Sequence, residues 1–248
     1  MEAKLLEGKV ALVTGSGRGM GRSIALALAR NGCRVSLSAR TEIDLHQVQE
    51  EIEANGGQAA CFPGDISIEN RAISLVSETA AHFGRLDILV NDAGIGAGGP
   101  WANTDTETWD QVLAVNARAP FILCREAIPH LQKQGGGFII NILSIGGVLC
   151  YENYGTYSVS KNALRALTIT LSKELRRDNI RVHAISMGAV DTPMLRLGLA
   201  TRPDIDPSKL IQSEEIAEIV LFLVTWRGNG VIDEINIRRP DASYWASL

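Results

Sequence analysis

Tyr157 and Lys161 stand four residues apart in the run Tyr157-Ser158-Val159-Ser160-Lys161. On a helix this spacing puts both side chains on one face, one turn apart. A free phenol ionises near pH ~10 and is a poor base at neutral pH. A neighbouring ammonium favours the phenolate. Such a pair can pass a proton to or from an oxygen whose charge changes during a reaction. Ser144, thirteen residues before Tyr157, carries a hydroxyl that can donate a hydrogen bond to the same oxygen. Singly, each residue has a plainer reading. Ser144 can cap the end of a strand, and Tyr157 can be a half-buried aromatic. Together they fix roles as well as residue types.

A second constellation lies at the start of the chain. The apolar run Lys9–Thr14 passes directly into Gly15-Ser16-Gly17-Arg18-Gly19-Met20-Gly21. Glycines after a first strand let the backbone turn tightly and approach a pyrophosphate. The helix N-terminus that follows supplies amide donors and partial positive charge. The same pattern also fits a tight strand-to-helix turn that holds no ligand.

These residues need elements to hold them. Lys9–Thr14, Arg34–Ala39, Ala59–Pro63, Leu86–Asn91, Gly137–Leu143, Arg181–Ser186 and Val231–Ile237 read as seven strands. Helices are expected over Gly19–Asn31, Thr41–Asn55 and about 68–83, 105–134, 154–177 and 213–225. The alternation predicts an α/β fold of parallel strands joined by right-handed crossovers. The strands are nearly all apolar, which fits a sheet covered on both faces. No linker, repeat or low-complexity segment divides the chain, so one domain over residues 1–248 is expected. Asp191 to Gln212, with Pro193, Pro203 and Pro207, breaks the rhythm. Its apolar residues Met194, Leu195, Leu197 and Leu199 predict a short, partly helical lid, or else a plain surface excursion.

Composition narrows the classes. The chain has 248 residues, 46% hydrophobic and 21% charged, with a net charge of −4. That balance excludes disorder as the main description and gives no basic surface for nucleic acid. The longest apolar run, Ile219 to Val224, falls far short of the roughly 20 residues a membrane span needs. Met1-Glu2-Ala3-Lys4 lacks the order of a secretory leader. Cys33, Cys61, Cys124 and Cys150 form no C-x-x-C pair, so reduced thiols and a cytoplasmic location are expected. His46, His82, His130 and His183 show no ligand spacing, and no metal site is expected.

The glycine spacing G-x-x-x-G-x-G after Thr14 resembles the motif of the short-chain dehydrogenase/reductase family. Further marks follow in order. Asn91-Asp92-Ala93-Gly94 is similar to the family's Asn-Asn-Ala-Gly. Asn116 matches its active-site asparagine, and Ser144 with Tyr157-x-x-x-Lys161 matches its catalytic set. Gly188-Ala189-Val190-Asp191-Thr192-Pro193 resembles its nicotinamide-contacting segment. The resemblance runs from about Leu6 to Val224. It implies a single-domain Rossmann fold, a doubly wound, seven-stranded parallel sheet with helices on both faces. It implies hydride transfer between a nicotinamide cofactor and a carbonyl or alcohol. It also implies that Lys161 bonds the nicotinamide ribose and that Asn116 holds a water linking Lys161 to solvent. The cofactor-contacting set it implies is Gly15, Ser16, Gly17, Arg18, Gly19, Met20, Gly21, Arg40, Asp65, Ile66, Asn91, Ala93, Gly94, Tyr157, Lys161, Val190 and Thr192. Three places depart from the pattern: Asp92 for the second asparagine, Met187 for a proline, and Val231 to Pro240 for a Val-Asp-Gly-Gly ending.

Cofactor choice turns on the end of the second strand, Ser38-Ala39-Arg40. An acid there would bond a ribose 2′-hydroxyl; Ala39 occupies its place. Arg40 and Arg18 can grip a 2′-phosphate by charge-assisted bonds, so NADP(H) is expected. Otherwise both are solvated surface arginines. A pocket of Ile95, Gly96, Ile145, Gly146, Cys150, Tyr151, Tyr154, Ala189 and the segment around Met194–Leu199 suits a carbonyl or alcohol on a modest apolar body. Arg239 and Trp245 are expected on the surface or at a subunit contact. Helices 105–134 and 154–177 carry apolar residues for a homodimer or tetramer, as the family builds it. Two other readings stay open. One is a 3-oxoacyl-thioester reductase, which Arg196, Arg202 and Lys209 would serve as a basic docking face. The other is a non-catalytic redox sensor.

Overall fold

The computed structural model describes residues 4–198 and 206–239. Seven parallel strands form one sheet in the order β3-β2-β1-β4-β5-β6-β7. They are β1 Val10–Thr14, β2 Arg34–Ser38, β3 Gln58–Cys61, β4 Ile88–Asn91, β5 Gly137–Ile142, β6 Ile180–Met187 and β7 Glu234–Ile237. Between them run α1 (Gly19–Arg30), α2 (Glu42–Ala54), α3 (Glu69–Phe83), α4 (Thr106–Leu113) and α5 (Ala119–Lys133). After β5 come α6 (Ile145–Leu149) and α7 (Gly155–Glu174), and after β6 α8 (Pro193–Gly198) and α9 (Ser213–Thr225).

Alternation along the strands makes the two cores. Ala11 and Val13 of β1 face α1, α2 and α9, while Leu12 faces α3, α5 and α7. All three side chains are fully buried. The two faces explain why the strands read as apolar throughout. On the first side, Ser23 of α1 donates to Glu214 of α9 at 2.9 Å, joining residues 191 positions apart in the chain. Inside the sheet, Asn91 donates to Asn141 at 2.8 Å, and Asn141 to Thr168 of α7 at 2.8 Å. At the sheet's other end the Asp87 carboxylate takes Lys9 at 2.9 Å, Arg85 at 2.6 and 2.7 Å, and the Val10 amide at 3.0 Å. Burial alone would push Asp87 upward, but these donors outweigh it and hold the carboxyl below its ordinary value.

The chain switches direction across the sheet between β1 and β4, and the carboxyl ends of these strands open a cleft. Four details differ from the sequence reading. The expected helix 105–134 is two helices joined by a π-helical turn over Ala114–Arg118, which contains Asn116. The turn widens the hydrogen-bond ladder by one residue, a feature frequent at functional sites. α6 was not legible in its Gly146-Gly147 sequence. β7 begins at Glu234 rather than Val231. Arg239 is buried, 8% exposed, rather than on the surface. Leu199, Arg202, Pro203, Pro240 and Trp245 lie outside the described residues.

Candidate active site

The site begins where β1 ends. Gly15 (φ +71°) and Gly19 (φ +57°) occupy the left-handed region, where a side chain is strained. A Cβ on Gly21 would collide with the Gly15 carbonyl, and one on Gly17 would sit 2.9 Å from the Asp44 Cβ. The turn is therefore built from residues whose missing side chains let backbone pack on backbone. Thr14 fastens it to the neighbouring strand end. Its hydroxyl donates to Val90 at 3.3 Å and accepts from the Asp92 and Ala93 amides, each at 3.2 Å.

The turn floors a cleft of about 200 Å³, open to solvent. Of the expected cofactor contacts, Gly15, Gly17, Arg18, Gly19, Met20, Arg40, Asp65, Ile66, Ala93, Gly94 and Thr192 line it. The Cβ-less amide turn fits a pyrophosphate. Arg18 and Arg40 are exposed at the rim, and neither has an ion-pair partner among the described residues. Ala39 lies beside them, but so does Asp44 from the first turn of α2. Sequence reasoning missed Asp44, because only packing brings it to Gly17. Six expected contacts are not among the lining residues: Tyr157 and Lys161, which stand beyond it, and four others. The Ser16 hydroxyl accepts from the Ser38 amide at 2.9 Å. The Asn91 amide turns into the sheet toward Asn141 and Cys124. Gly21 packs under the turn, and Val190 is buried and bridged to Ile211. Asp65 is partly committed, accepting from the Ser67 amide at 2.9 Å.

Beyond Gly94 the catalytic candidates gather on α6 and α7. Gly146 and Gly147 allow α6 to lie directly on α7. A Cβ on Gly147 would come within 2.8 Å of the Lys161 Cβ. A Cβ on Gly146 would meet the Ser144 Oγ at 3.3 Å and the Tyr157 ring at 3.5 Å, so hydroxyl and phenol flank one small gap. Ser144 caps α6, its Oγ accepting from the Gly146 amide at 3.1 Å, which leaves its own hydrogen free. Lys161 is buried, with its Nζ 5.8 Å from the Tyr157 ring centre. It donates to the Ile142 carbonyl at 2.9 Å, leaving two further protons.

Asn116 stands behind them. Its Oδ1 accepts from the Ile95 amide and its Nδ2 donates to the Ile95 carbonyl, both at 2.9 Å. The second Nδ2 proton goes to Ser160 at 3.0 Å, and Ser160 donates to the Tyr157 carbonyl at 2.7 Å. Gly94 links the two halves, since a Cβ there would lie 3.3 Å from Asn116 Oδ1 and 3.5 Å from Lys161 Nζ. Burial pushes the Asp92 carboxyl up to about 7, against the Lys161 ammonium and the Gly21 amide, which pull it down. The described residues hold no cluster of metal-ligating side chains.

The profile of short chain dehydrogenases matches residues 9–201. An uncharacterised oxidoreductase of Thermotoga maritima is 37% identical over 227 residues, covering 87% of this chain and 90% of that one. A cyclopentanol dehydrogenase of Comamonas sp. is 36% identical over 224 residues, 88% and 90% of the two chains. The crystal structure of a metagenomic short-chain oxidoreductase in complex with NADP superposes with a TM-score of 0.83. It has 33% identity and covers 95% of this chain and 98% of that one. With the sheet order in agreement, the chain belongs to the short-chain dehydrogenase/reductase family, whose members are oxidoreductases using nicotinamide cofactors.

Proposed function

We propose that this enzyme interconverts a small carbonyl compound and its secondary or primary alcohol with NADP(H), Tyr157 serving as acid and base. The observation that carries the reading is the meeting of Ser144 Oγ and Tyr157 across Gly146, with the Lys161 ammonium behind the ring. Bound at the glycine turn, the nicotinamide supplies or accepts the hydride. The Tyr157 phenol then gives its proton to the carbonyl oxygen, or takes one from the alcohol in reverse. Ser144 donates to that oxygen and fixes it. The buried Lys161 gives one proton to Ile142, and its two remaining protons would be available to a ribose hydroxyl. Asn116 keeps one lone pair on Oδ1 for a water toward Lys161.

NADP(H) is favoured by two unpaired guanidinium groups against the single acid Asp44 at the same rim. Ile95 and Met194 line the cleft, and Tyr151 and Ile145 lie beside Gly146 and Gly188. At the start of the expected lid segment, Arg196 pairs with Asp191 at 2.6 and 2.7 Å. That pair, and the contact of Lys209 with Asp206 at 3.6 Å, neutralise two of the three cations an acyl-carrier docking face would use. The thioester reading therefore has less support. Tyr157 and Lys161 are both present, which leaves no observation favouring a non-catalytic sensor. No helix among the described residues is long and apolar enough to cross a membrane, and a cytoplasmic enzyme acting on a dissolved substrate fits this.

Tyr157→Phe tests the assignment. Turnover of NADPH with a panel of ketones and aldehydes falls about 10³-fold, within the range for losing a general acid. NADPH affinity, followed by fluorescence, stays within a few fold. Undiminished turnover in the variant removes Tyr157 from the chemistry.

A further inference from the structure

Asp92 sits under the glycine turn and is not used by the chemistry above. Its Oδ2 is 3.2 Å from the place a Cβ on Gly15 would take and 2.7 Å from that on Gly21, and the carboxyl accepts from the Gly21 amide. Its Oδ1 is buried and has no hydrogen-bond partner. A buried carboxylate oxygen without a partner is unfavourable, and protonation relieves it. The groups facing it are few. From the turn and α1 come backbone amides; from β1 comes the neutral Thr14 hydroxyl that accepts the Asp92 amide. From α7 comes Lys161, the charged group whose field acts on it. The same cleft that Asp92 lines must receive a dinucleotide with a doubly negative pyrophosphate.

We propose that Asp92 is a positioning residue of the cofactor cradle that works through its proton. Its carboxyl, holding Gly21 in place, is a neutral acid whenever an anionic dinucleotide lies on the turn, so binding draws one proton from the buffer. The inference rests on the functional reading above, since it needs a dinucleotide on this turn. Two changes on binding point the same way. New negative charge arrives against the amides that Asp92 shares, and water leaves the cleft. Lys161 opposes them, but its field already acts in the free protein. In the free protein the carboxyl titrates at about 7. Below that pH it already carries the proton, and binding takes up none. Above it, the proton must be acquired, and affinity falls as the pH rises.

The test uses NADH as well as NADPH, because a phosphate monoester itself titrates near pH ~6 and NADH has none. Calorimetric titration of the wild-type protein with NADH at pH 8, in phosphate and in Tris, reports the protons exchanged from the difference in apparent enthalpy. Uptake approaching one proton is expected, and none at pH 6. Asp92→Asn keeps an oxygen for the Gly21 amide and cannot titrate. Its NADH and NADPH affinities should match wild type at pH 6 and exceed it above pH 7 by about tenfold per further pH unit. The wild-type calorimetry stands alone if the variant folds poorly. Intact binding with no proton uptake, or with equal pH dependence in both proteins, overturns this inference and leaves the functional reading standing. Failure of the wild-type protein to bind either dinucleotide at any pH overturns both.

Discussion

At the scale of single residues, the chemistry is concentrated in side chains that have donors left over. Ser144 accepts from Gly146 yet keeps its proton, and Lys161 gives one proton to Ile142 and keeps two. Arg18 and Arg40 keep all of theirs. Arg40→Ala should lower NADPH affinity about tenfold or more, the scale of a lost charge-assisted bond, and leave NADH nearly unchanged. Paired fluorescence titrations check it, and equal loss for both cofactors would remove Arg40 from the phosphate site. Much of this site was legible in the sequence, because a turn of helix places Tyr157 and Lys161 together whatever the rest of the chain does. Asn116 was legible as a residue but not in its partners. Its amide is taken by Ile95, twenty-one positions away, and spacing says nothing about such contacts. Asp92 read as a mere departure from a motif. Its meaning depends on its carboxyl lying against Gly15 and Gly21, which only the packing reveals.

At the scale of elements, glycine sets the distances. α6 was invisible to periodicity because two of its five residues are glycines, poor helix formers that are present for closeness rather than propensity. Gly147→Ala puts a methyl 2.8 Å from the Lys161 Cβ and must push α6 away from α7. Overpacking of this kind costs about 1–3 kcal/mol. Here it also parts Ser144 from Tyr157, so kcat should fall more than cofactor affinity; single-turnover and binding measurements separate the two.

The strands were legible to within a few residues, since two covered faces demand apolar runs, whereas the π-helical turn at Asn116 was not. The Asp87 cluster at the opposite end of β1 supports stability rather than chemistry. Its carboxyl lies below its ordinary value in the fold, so its contribution is complete above the unfolded pKa of about 3.9 and is lost as the pH falls through the folded value. Asp87→Asn should lower Tm by roughly 4–8 °C at pH 7, for a loss near 2 kcal/mol, with the gap to wild type closing in strong acid. Thermal melts at pH 7 and pH 3 check both halves.

At the scale of the whole molecule, the surface carries apolar residues that the two cores do not use. Phe121 of α5 is 47% exposed, and Val159 and Ile169 of α7 are 39% and 38% exposed. We propose that copies of the chain associate through these helices, in the symmetric way such patches favour. Val159→Asp should shift the sedimentation coefficient toward a monomer with the circular dichroism unchanged; an unaltered coefficient would exclude this face. The sequence pointed to these helices but could not place Phe121 on the outward side, because the π-helical turn resets the register between α4 and α5.

The hydrogen bond from Ser23 to Glu214 has a meaning for synthesis as well. α1 is made well before the helix that covers it, which arrives 191 positions later. At roughly 5–20 residues per second, that is a wait of about 10–40 s on the ribosome. Throughout it, the segment bearing the glycine turn has one apolar side bare. A nascent chain that stalls before Ser213 cannot bury that side, and its fate passes to chaperones and proteases before any cofactor can hold it.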